Sequence, residues 1–329
     1  MSNAELIILR ELTAHAPDYV SGQALANKLG LSRVAIWQHM EKLRGQGFEF
    51  EALRARGYRL IKQPDGLHAT YIEALLKSRK RDFSLTVLDT VDSTNDEAAR
   101  QLAAGRADPF VVLAREQTQG RGRFGRVWQS DHHTNLYASF AFRPHISPQR
   151  MPMFTLWMGV NICELITNFC AVHAGLKWPN DIVFDGLKAG GMLTEARIDA
   201  DQMRDLVFGL GLNVNQPAGA WSHDLNRRAT SLAAQTGKTM DLNHFAAALI
   251  GRVFLAYHQF IEGEYASKLA DTWNHYDVLR GRKVVVLNGT QRIEGTAAGI
   301  DNTGSLLLRD GHGRAQRFSA GEVTLEKVG

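Results

Sequence analysis

The chain has 329 residues and a mass of 36.5 kDa, long enough for two or three domains with separate hydrophobic cores. Apolar residues make up 44% and charged residues 22%, the ordinary composition of a soluble globular protein, so a disordered or fibrous chain is excluded. The net charge of +4 and the pI near 9.1 permit contact with nucleic acid without requiring it.

The first 62 residues have the pattern of three short helices. An apolar helical stripe around Leu6–Leu12 is followed by a second helix that begins at Ser21 and ends at Gly30. Ser32 can cap a third helix, which we predict from Arg33 to about Arg44. Three apolar side chains at i, i+4 and i+7 face inward from it: Ile36, Met40 and Leu43.

The outward face of the third helix suits a DNA groove. It presents Val34, Gln38 and Glu41, flanked by Trp37 and Lys42. Gln38 has the amide group that reads adenine in a major groove. Glu41 does not favour phosphate, so a three-helix protein-interaction module with a solvated basic hairpin stays open as an alternative.

A basic hairpin follows the third helix. Alternating residues 48–51 and the arginine-bearing stretch 54–60 predict two strands. Residues 1–62 contain nine lysines and arginines against six aspartates and glutamates, a net of +3. We therefore predict a winged helix-turn-helix DNA-binding domain over 1–62, followed by a linker at 62–68. The residues expected to contact DNA are Ser32, Arg33, Val34, Trp37, Gln38, Lys42, Arg54 and Arg56.

Residues 69–275 predict an α+β catalytic body. A strand at Ser84–Leu88 precedes the polar stretch Asp92–Asn95 and a helix that begins near Glu97. Ser93 and Thr94 either contact a ligand or only cap this helix.

Residues 117–128 place three arginines among three glycines, directly after the apolar run Phe110–Ala114. The arginines are Arg121, Arg123 and Arg126. Glycines let the backbone close around an anion, and arginines supply forked donors. Gly120–Gly125 also fits the dinucleotide pattern G-x-G-x-x-G, but that turn must open a helix, whereas this loop leads to the strand-like Leu136–Phe142. We predict a loop that binds phosphate or carboxylate, with a solvated hairpin loop as the alternative.

The segment 177–193 predicts two antiparallel strands joined by the tight turn Asp185–Gly186. The side chains of Asn180, Asp181 and Lys188 then converge near a ligand, with Asp181 free to hold Mg²⁺. In the next strand, Gly209 and Gly211 would bare one face of the sheet for a flat guest. Taken singly, the lysines can be surface residues and the glycines bulges.

Cysteine usage and apolar runs favour a cytoplasmic protein. Cys163 and Cys170 lie seven residues apart in an apolar segment, which predicts one face of one helix and no disulfide. No run reaches the roughly 18 apolar residues of a membrane span. We therefore expect cytoplasmic localisation and no contact with a membrane.

Four of these segments resemble the successive signatures of biotin-protein ligases: Gly120–Arg126, Lys177–Asp181, Lys188–Gly191 and Gly209–Asn213. With the helix-turn-helix upstream, nearly the whole chain is similar to the bifunctional form of that family, which biotinylates acetyl-CoA carboxylase and represses biotin synthesis. Residues 279–329 are strand-rich and resemble the SH3-like barrel that closes the family, a stability cap being the alternative. The resemblance implies an α+β fold with a winged helix-turn-helix at 1–62, a mixed or antiparallel-sheet ligase domain of the biotin/lipoate ligase type at 69–275, and an SH3-like β-barrel at 279–329.

The resemblance also implies a reaction. Biotin and ATP, with Mg²⁺, form biotinyl-5′-AMP, and the biotinyl group then passes to a lysine of the biotin carboxyl carrier protein. The other implied partners are operator DNA and, when ligand is bound, a second copy of the chain. Two alternatives stay open: a lipoate-protein ligase, and a non-catalytic transcription factor that senses biotin.

The site residues follow from match to the family motifs. The implied catalytic residues are Lys188, Arg123 and Asp181, with Asp181 also at the metal. Those implied for biotin are Ser93, Thr94, Asn95, Gln117, Gly120, Arg121, Gly122, Arg123, Lys188 and Gly191. Those implied for the nucleotide are Arg121, Arg123, Arg126, Trp128, Lys177, Asn180 and Asn213. Phe124 departs from the family pattern, in which a basic residue often occupies this position.

Overall fold

The computed structural model describes residues 3–76, 83–130, 134–221, 225, 227–289 and 291–325. Three groups of elements follow one another along the chain. They are a helical unit with a hairpin, a seven-stranded sheet with helices on both faces, and a five-stranded sheet.

The N-terminal unit consists of three helices and one antiparallel hairpin. These are α1 (Asn3–Ala14), α2 (Gly22–Leu29), α3 (Arg33–Arg44), β1 (Glu49–Leu53) and β2 (Gly57–Lys62). The predicted boundaries are confirmed, because Ser21 and Ser32 cap α2 and α3 through their hydroxyls and a left-handed Gly30 ends α2. Ile36, Met40 and Leu43 lie in a core of their own with residues of α1 and α2.

The hairpin is fixed against the connection between α1 and α2. Tyr58 and Val20 exchange backbone hydrogen bonds of 2.8 Å in both directions. Gly57 has φ +109°, and a Cβ there would lie 2.1 Å from the Val20 carbonyl oxygen, so this position requires glycine. The Tyr19 hydroxyl donates to Glu51 at 2.6 Å, and Arg59 donates to the same carboxylate at 2.5 Å. The hairpin is therefore held against the connection between α1 and α2.

The residues of the predicted linker hydrogen-bond to the central body. The linker leads into α4 (Ala69–Leu75), whose Tyr71 is buried in the N-terminal core. The backbone N–H of His68 donates to Asn243 at 2.7 Å, and Arg115 donates to the Leu67 carbonyl at 2.7 Å. These contacts join the helical unit to the central body.

The central sheet has seven strands: β3 (Ser84–Val91), β4 (Phe110–Gln117), β5 (Leu136–Phe142), β6 (Gly175–Lys177), β7 (Asp181–Phe184), β8 (Leu187–Asp199) and β9 (Gln202–Leu212). Their order is β3-β4-β5-β9-β8-β7-β6, with β3 and β4 parallel and every other pair antiparallel. The parallel pair requires a crossover, which α5 (Thr94–Ala103) supplies. This helix begins at Thr94 and not near Glu97 as predicted, because Ser93 is its cap.

Alternate residues of the strands face opposite layers. Phe110 and Val112 pack toward α5, whereas Val111 and Leu113 pack toward the main core. That core is covered by α6 (Met151–Cys170), α7 (Leu232–Thr236), α8 (Leu242–Ile261) and α9 (Leu269–Tyr276). The Trp157 indole of α6 donates to the Ala256 carbonyl of α8 at 2.9 Å, which joins the two longest helices.

The α6 region corrects one expectation from the sequence. The segment Pro148–Cys170 is long and apolar enough to cross a membrane by length and composition, contrary to the prediction that no segment would be. In the fold, 61% of its most apolar window is buried inside the protein, as in the core helix of a soluble domain. Cys163 and Cys170 both lie on α6 and are free thiols, as predicted.

The C-terminal sheet contains β10 (Lys283–Asn288), β11 (Gln291–Ile300), β12 (Leu306–Arg309), β13 (Ala315–Phe318) and β14 (Glu322–Leu325). All neighbours are antiparallel in the order β13-β12-β11-β10-β14. Among the described residues no ladder joins β13 to β14, so the predicted barrel is an open sheet here. The Trp178 indole donates to the Gly304 carbonyl at 3.1 Å and attaches this sheet to the body.

Candidate functional site

A cavity of about 650 Å³ opens where the central sheet, the 117–128 loop and the start of β14 meet. Fifteen of the predicted ligand-site residues line it: Ser93, Thr94, Asn95, Gln117, Arg121, Gly122, Arg123, Arg126, Trp128, Lys177, Asn180, Asp181, Lys188, Gly191 and Asn213. Gly120 does not. It lies at the base of the loop, where a Cβ would be 2.7 Å from the Trp128 carbonyl oxygen, so its role is to let two backbone segments approach.

Lys188 stands at the centre of a cationic end of the cavity. Its Nζ lies 2.6 Å from the Asp181 carboxylate and 5.4 Å from the centroid of the Trp128 ring. Lys177 is nearby, and burial lowers the pKa of its ammonium group, with Asp181 opposing the shift and Lys188 adding to it. The fold therefore crowds positive charge here and offsets only part of it.

Arg123 faces the same end from the loop. Its guanidinium donates to the Asn180 side-chain oxygen and to the Gly321 carbonyl, each at 3.4 Å, which are long hydrogen bonds. Burial lowers the pKa of Arg123, with the charges of Asp181 and Glu322 opposing the shift. The Asn180 side-chain amide donates to the Met192 carbonyl at 2.6 Å. The Asn180 oxygen that accepts from Arg123 is therefore fixed in place.

The other two loop arginines are engaged with acids. Arg126 is 2.5 Å from Glu322 on β14, and Arg121 bonds Asp96 on α5 and lies 3.0 Å from Glu195 on β8. Both side chains border the cavity. Arg121 would have to leave its carboxylates before it could hold a ligand phosphate, because its Nε and both Nη atoms bond to them, whereas Arg126 uses only Nη2 on Glu322.

The cavity side chains around Thr94 are polar and tightly hydrogen-bonded, and Asn95 also donates to the Glu195 carboxylate at 2.7 Å. The Gln117 side-chain oxygen accepts from the Thr94 backbone N–H at 2.8 Å and from its hydroxyl at 3.1 Å. Ser139 donates to the Asn95 side-chain oxygen at 2.6 Å, and its Oγ lies 2.8 Å from the Thr94 hydroxyl oxygen. Ser93, Thr94 and Asn95 are 3%, 4% and 5% exposed. Ser93 both caps α5 and lines the cavity. Its predicted roles as a helix cap and as a ligand-site residue are therefore compatible.

The two strand glycines do not leave a bare face. A Cβ on Gly209 would lie 2.2 Å from the Asn95 side-chain oxygen, and one on Gly211 would lie 2.7 Å from Cε2 of Trp128. The prediction that these glycines leave one sheet face open for a flat ligand is therefore wrong. The glycines make room for two side chains of the protein, one of which is a flat indole.

Several cavity residues were not identified from the sequence. Trp221, Leu225 and Arg228 come from the segment after β9, and the backbone of Lys188 exchanges hydrogen bonds of 2.7 and 2.9 Å with Arg228 and Thr230. The adjacent pair Arg227 and Arg228 was the available signal. Glu322 carried no such signal, because an acid on a surface strand is ordinary.

Asp181 is the residue predicted to hold a metal ion. Among the residues that the structure describes, no group of three or more His, Cys, Asp or Glu side chains is placed to hold a metal ion. Asp181 is half-buried at the cavity and bonded to Lys188. Mg²⁺ commonly binds through one or two carboxylates plus substrate phosphates, so Asp181 fits one protein ligand of a nucleotide-borne ion.

The predicted DNA-binding residues form a second surface. Ser32, Arg33, Val34, Trp37, Gln38, Lys42, Arg54 and Arg56 are all exposed. Lys42 is less free than predicted, since it lies 3.0 Å from the buried Glu5 of α1. Glu41, which argued against phosphate contact, is paired with Arg44 one turn along the helix. This pairing reduces the unfavourable charge on the face.

Three family models match the chain. They are the HTH domain at residues 5–59, the Biotin/lipoate A/B protein ligase family at 87–213 and the Biotin protein ligase C terminal domain at 280–325. Together they span the helical unit, the cavity-bearing sheet and the C-terminal sheet.

Similar proteins and solved structures agree with these matches. The bifunctional ligase/repressor BirA of Bacillus subtilis is 36% identical over 92% of this chain and 93% of its own length. The biotin–[acetyl-CoA-carboxylase] ligase of Mycobacterium tuberculosis is 32% identical over 73% of this chain and 88% of its own. The solved biotin protein ligase of Aquifex aeolicus in complex with biotin and ATP superimposes with a TM-score of 0.62 at 29% identity, covering 74% of this chain and 98% of that one.

Proposed function

Because the chain belongs to the family of bifunctional biotin-protein ligases and repressors, we propose how its cavity and its helical unit carry out the two activities. The protein is an ATP-dependent ligase that forms biotinyl-5′-AMP and transfers biotin to a lysine of the biotin carboxyl carrier protein of acetyl-CoA carboxylase. It is also a DNA-binding repressor of biotin synthesis. Its cosubstrates are biotin and ATP.

One observation carries the ligase proposal: one cavity combines the neutral hydrogen-bonding side chains of Thr94, Asn95 and Gln117 with a cationic end that contains an indole. Biotin has a neutral cyclic urea at one end and a carboxylate at the other. We assign the urea to the groups around Thr94, Asn95 and Gln117, and the carboxylate to Lys188. The nucleotide then lies toward Trp128, with its adenine on the indole and its phosphates among Lys177, Arg123 and Arg126.

Adenylation joins two groups that repel each other. A biotin carboxylate oxygen attacks the α-phosphorus of ATP, a P–O bond forms, and the bond to the bridging oxygen breaks as pyrophosphate leaves. Lys188 and Arg123 offset the charge that accumulates on the phosphorus oxygens. Charge-assisted hydrogen bonds contribute about 1.5–3 kcal/mol each and act most where charge develops.

Transfer needs no covalent enzyme intermediate. The amine of the carrier lysine attacks the biotinyl carbonyl, an amide bond forms as the nitrogen loses a proton to solvent, and AMP leaves with the electron pair of the broken C–O bond. We propose that Mg²⁺ enters with ATP and that Asp181 and the phosphates hold it. When bound, the ion supplies further positive charge to the leaving pyrophosphate.

Exchange of labelled pyrophosphate into ATP tests the assignment. Exchange that depends on biotin and not on lipoate supports the ligase proposal. Exchange that depends on lipoate selects the alternative ligase, and binding of biotin without exchange selects a sensor that does not catalyse.

For the repressor activity we propose a winged helix-turn-helix domain over residues 1–62, with α3 in the major groove and the β1–β2 turn on the adjacent backbone. Its support is the exposed face of α3 beside a fixed, arginine-bearing hairpin. We further propose a ligase domain at 69–275, an SH3-like C-terminal domain at 279–329, and cytoplasmic localisation. A mobility shift with the DNA upstream of the chain's own biotin genes tests the first of these, and deletion of 1–62 should abolish that shift.

We also propose that bound adenylate favours a homodimer. Phe124 and Val127 in the 117–128 loop are 70% and 83% exposed, so burial does little to order this loop without ligand. A ligand that holds its arginines and Trp128 would fix those two side chains in one surface. Two helical units would then meet two operator half-sites. Sedimentation with and without biotin and ATP tests this. The same oligomeric state under both conditions contradicts it.

A further inference from the structure

The outward face of α3 carries two large apolar side chains in contact with solvent. Val34 is 65% and Trp37 is 52% exposed, whereas the inward Ile36 and Met40 of the same helix are at most 1% exposed. Val34, Trp37, Arg33 and Tyr58 line one shallow groove. The groove therefore places two large apolar side chains together on the exposed face of the helix.

The charge around the groove identifies the class of partner. Arg33 forms part of the groove itself, and Arg54 and Arg56 are exposed on the neighbouring hairpin turn. A second copy of this face would bring the same positive charge and be repelled. A DNA duplex presents phosphates on both sides of its major groove, and thymine methyl groups are apolar surface within that groove.

We propose that Val34 and Trp37 read thymine in the operator by apolar contact with its C5-methyl group. The inference rests on the proposed repressor activity and adds to it the kind of base contact. Val34 is the second residue of α3, and the first turns of a recognition helix contact base edges. Gln38, next to Trp37 and also exposed, has the amide that pairs with adenine, so the face is suited to A·T base pairs.

Replacing thymine by deoxyuridine tests the contact, because it removes only the methyl group. A duplex selected from a random pool by the full chain with biotin and ATP is remade with each thymine changed in turn. Binding is measured by fluorescence anisotropy at one fixed salt concentration. Loss of a buried methyl contact should weaken binding of the unaltered protein about fourfold, from roughly 0.8 kcal/mol for one buried methylene group.

The variant Val34→Ala should bind the thymine duplex more weakly and should no longer distinguish it from the matching deoxyuridine duplex. Its binding should keep the same dependence on salt, since it loses no phosphate contact. Ile61→Ala is the matched control, because Ile61 is an apolar side chain of the same unit that is 52% exposed and lies outside the groove. This variant should retain the fourfold discrimination.

The outcomes separate this inference from the activity on which it rests. If no duplex is bound, both the repressor activity and the methyl contact are rejected. If DNA is bound but every deoxyuridine duplex binds as well as its parent, only the methyl contact is rejected. The same conclusion follows if Val34→Ala alters sedimentation and leaves thymine discrimination unchanged, since the patch would then be a contact between copies of the chain.

Discussion

Gly211→Ala should impair use of ATP without unfolding the protein. A Cβ at this position would lie 2.7 Å from Cε2 and 2.9 Å from Nε1 of Trp128, whereas carbon atoms in contact stay about 3.5–4.0 Å apart. The backbone cannot retreat, because Gly211 pairs with Tyr137 on one side and with Gly191 on the other. The indole must therefore move by roughly 1 Å.

That displacement sets the expected magnitude. Lys188 Nζ lies over the Trp128 ring, 5.4 Å from its centroid. The displaced indole would lose this contact and would no longer present the same face to adenine. A misplacement of about 1 Å in a reacting complex costs on the order of a hundredfold. We therefore expect kcat/KM for ATP to fall between about tenfold and a hundredfold in pyrophosphate exchange. The KM for biotin should change little, because the groups around Gln117 are not displaced.

Gly251→Ala is the matched control. This glycine lies within α8 with no neighbouring atom within 4 Å of an added Cβ, so the same chemical change meets no obstacle. It should stabilise the helix by about 0.5–1 kcal/mol and leave exchange unaltered. If Gly211→Ala has the ATP dependence of this control while its melting temperature is normal, Trp128 does not position the nucleotide.

The remaining predictions concern single charges. Lys188→Ala should abolish pyrophosphate exchange with an unchanged melting temperature, since it removes the cation nearest the forming mixed anhydride; a near-normal exchange rate rejects this role. Arg123→Gly should release adenylate into solution faster, because the guanidinium is placed to hold the intermediate, and unchanged retention of labelled adenylate counts against it. Hydrogen bonds from Arg100 lower the pKa of Asp92 to about 2 from an ordinary value of 3.8. The stability from this pair is present above about pH 4 and is lost as the pH falls toward 2. Arg100→Gln should therefore lower the melting temperature at pH 7 and do so less at pH 3; an equal effect at both values contradicts the linkage.

Local signals predicted the elements that depend on them. Capping by Ser21 and Ser32 and the turn Asp185–Gly186 involve residues adjacent in the chain, and all three are found as expected. The helix α5 begins at Thr94, three residues before the predicted start near Glu97, because the Ser93 side chain caps it.

Long-range partners could not be predicted in the same way. The sequence indicated that Arg126 would face an anion, but its present partner is Glu322, which lies 196 positions further along. The glycine pattern in β9 indicated a close approach, and only the fold shows that Trp128 and Asn95 are what approaches. In both cases the residue type predicted that a partner was needed and did not predict which residue it would be.

The partners in the cavity explain how so many cations stay together before a ligand arrives. Lys188 is paired with Asp181 and Arg126 with Glu322, and each acid comes from a different sheet. Without them, burial and mutual repulsion would disfavour the charged form of Lys177 still further. At Lys188 and Arg126 a phosphate that enters competes with a carboxylate, so the net gain there is the difference between two charge-assisted bonds, whereas at Arg123 it replaces only two long bonds to neutral oxygens. Discrimination should then depend on shape, through the indole and the loop, more than on total charge.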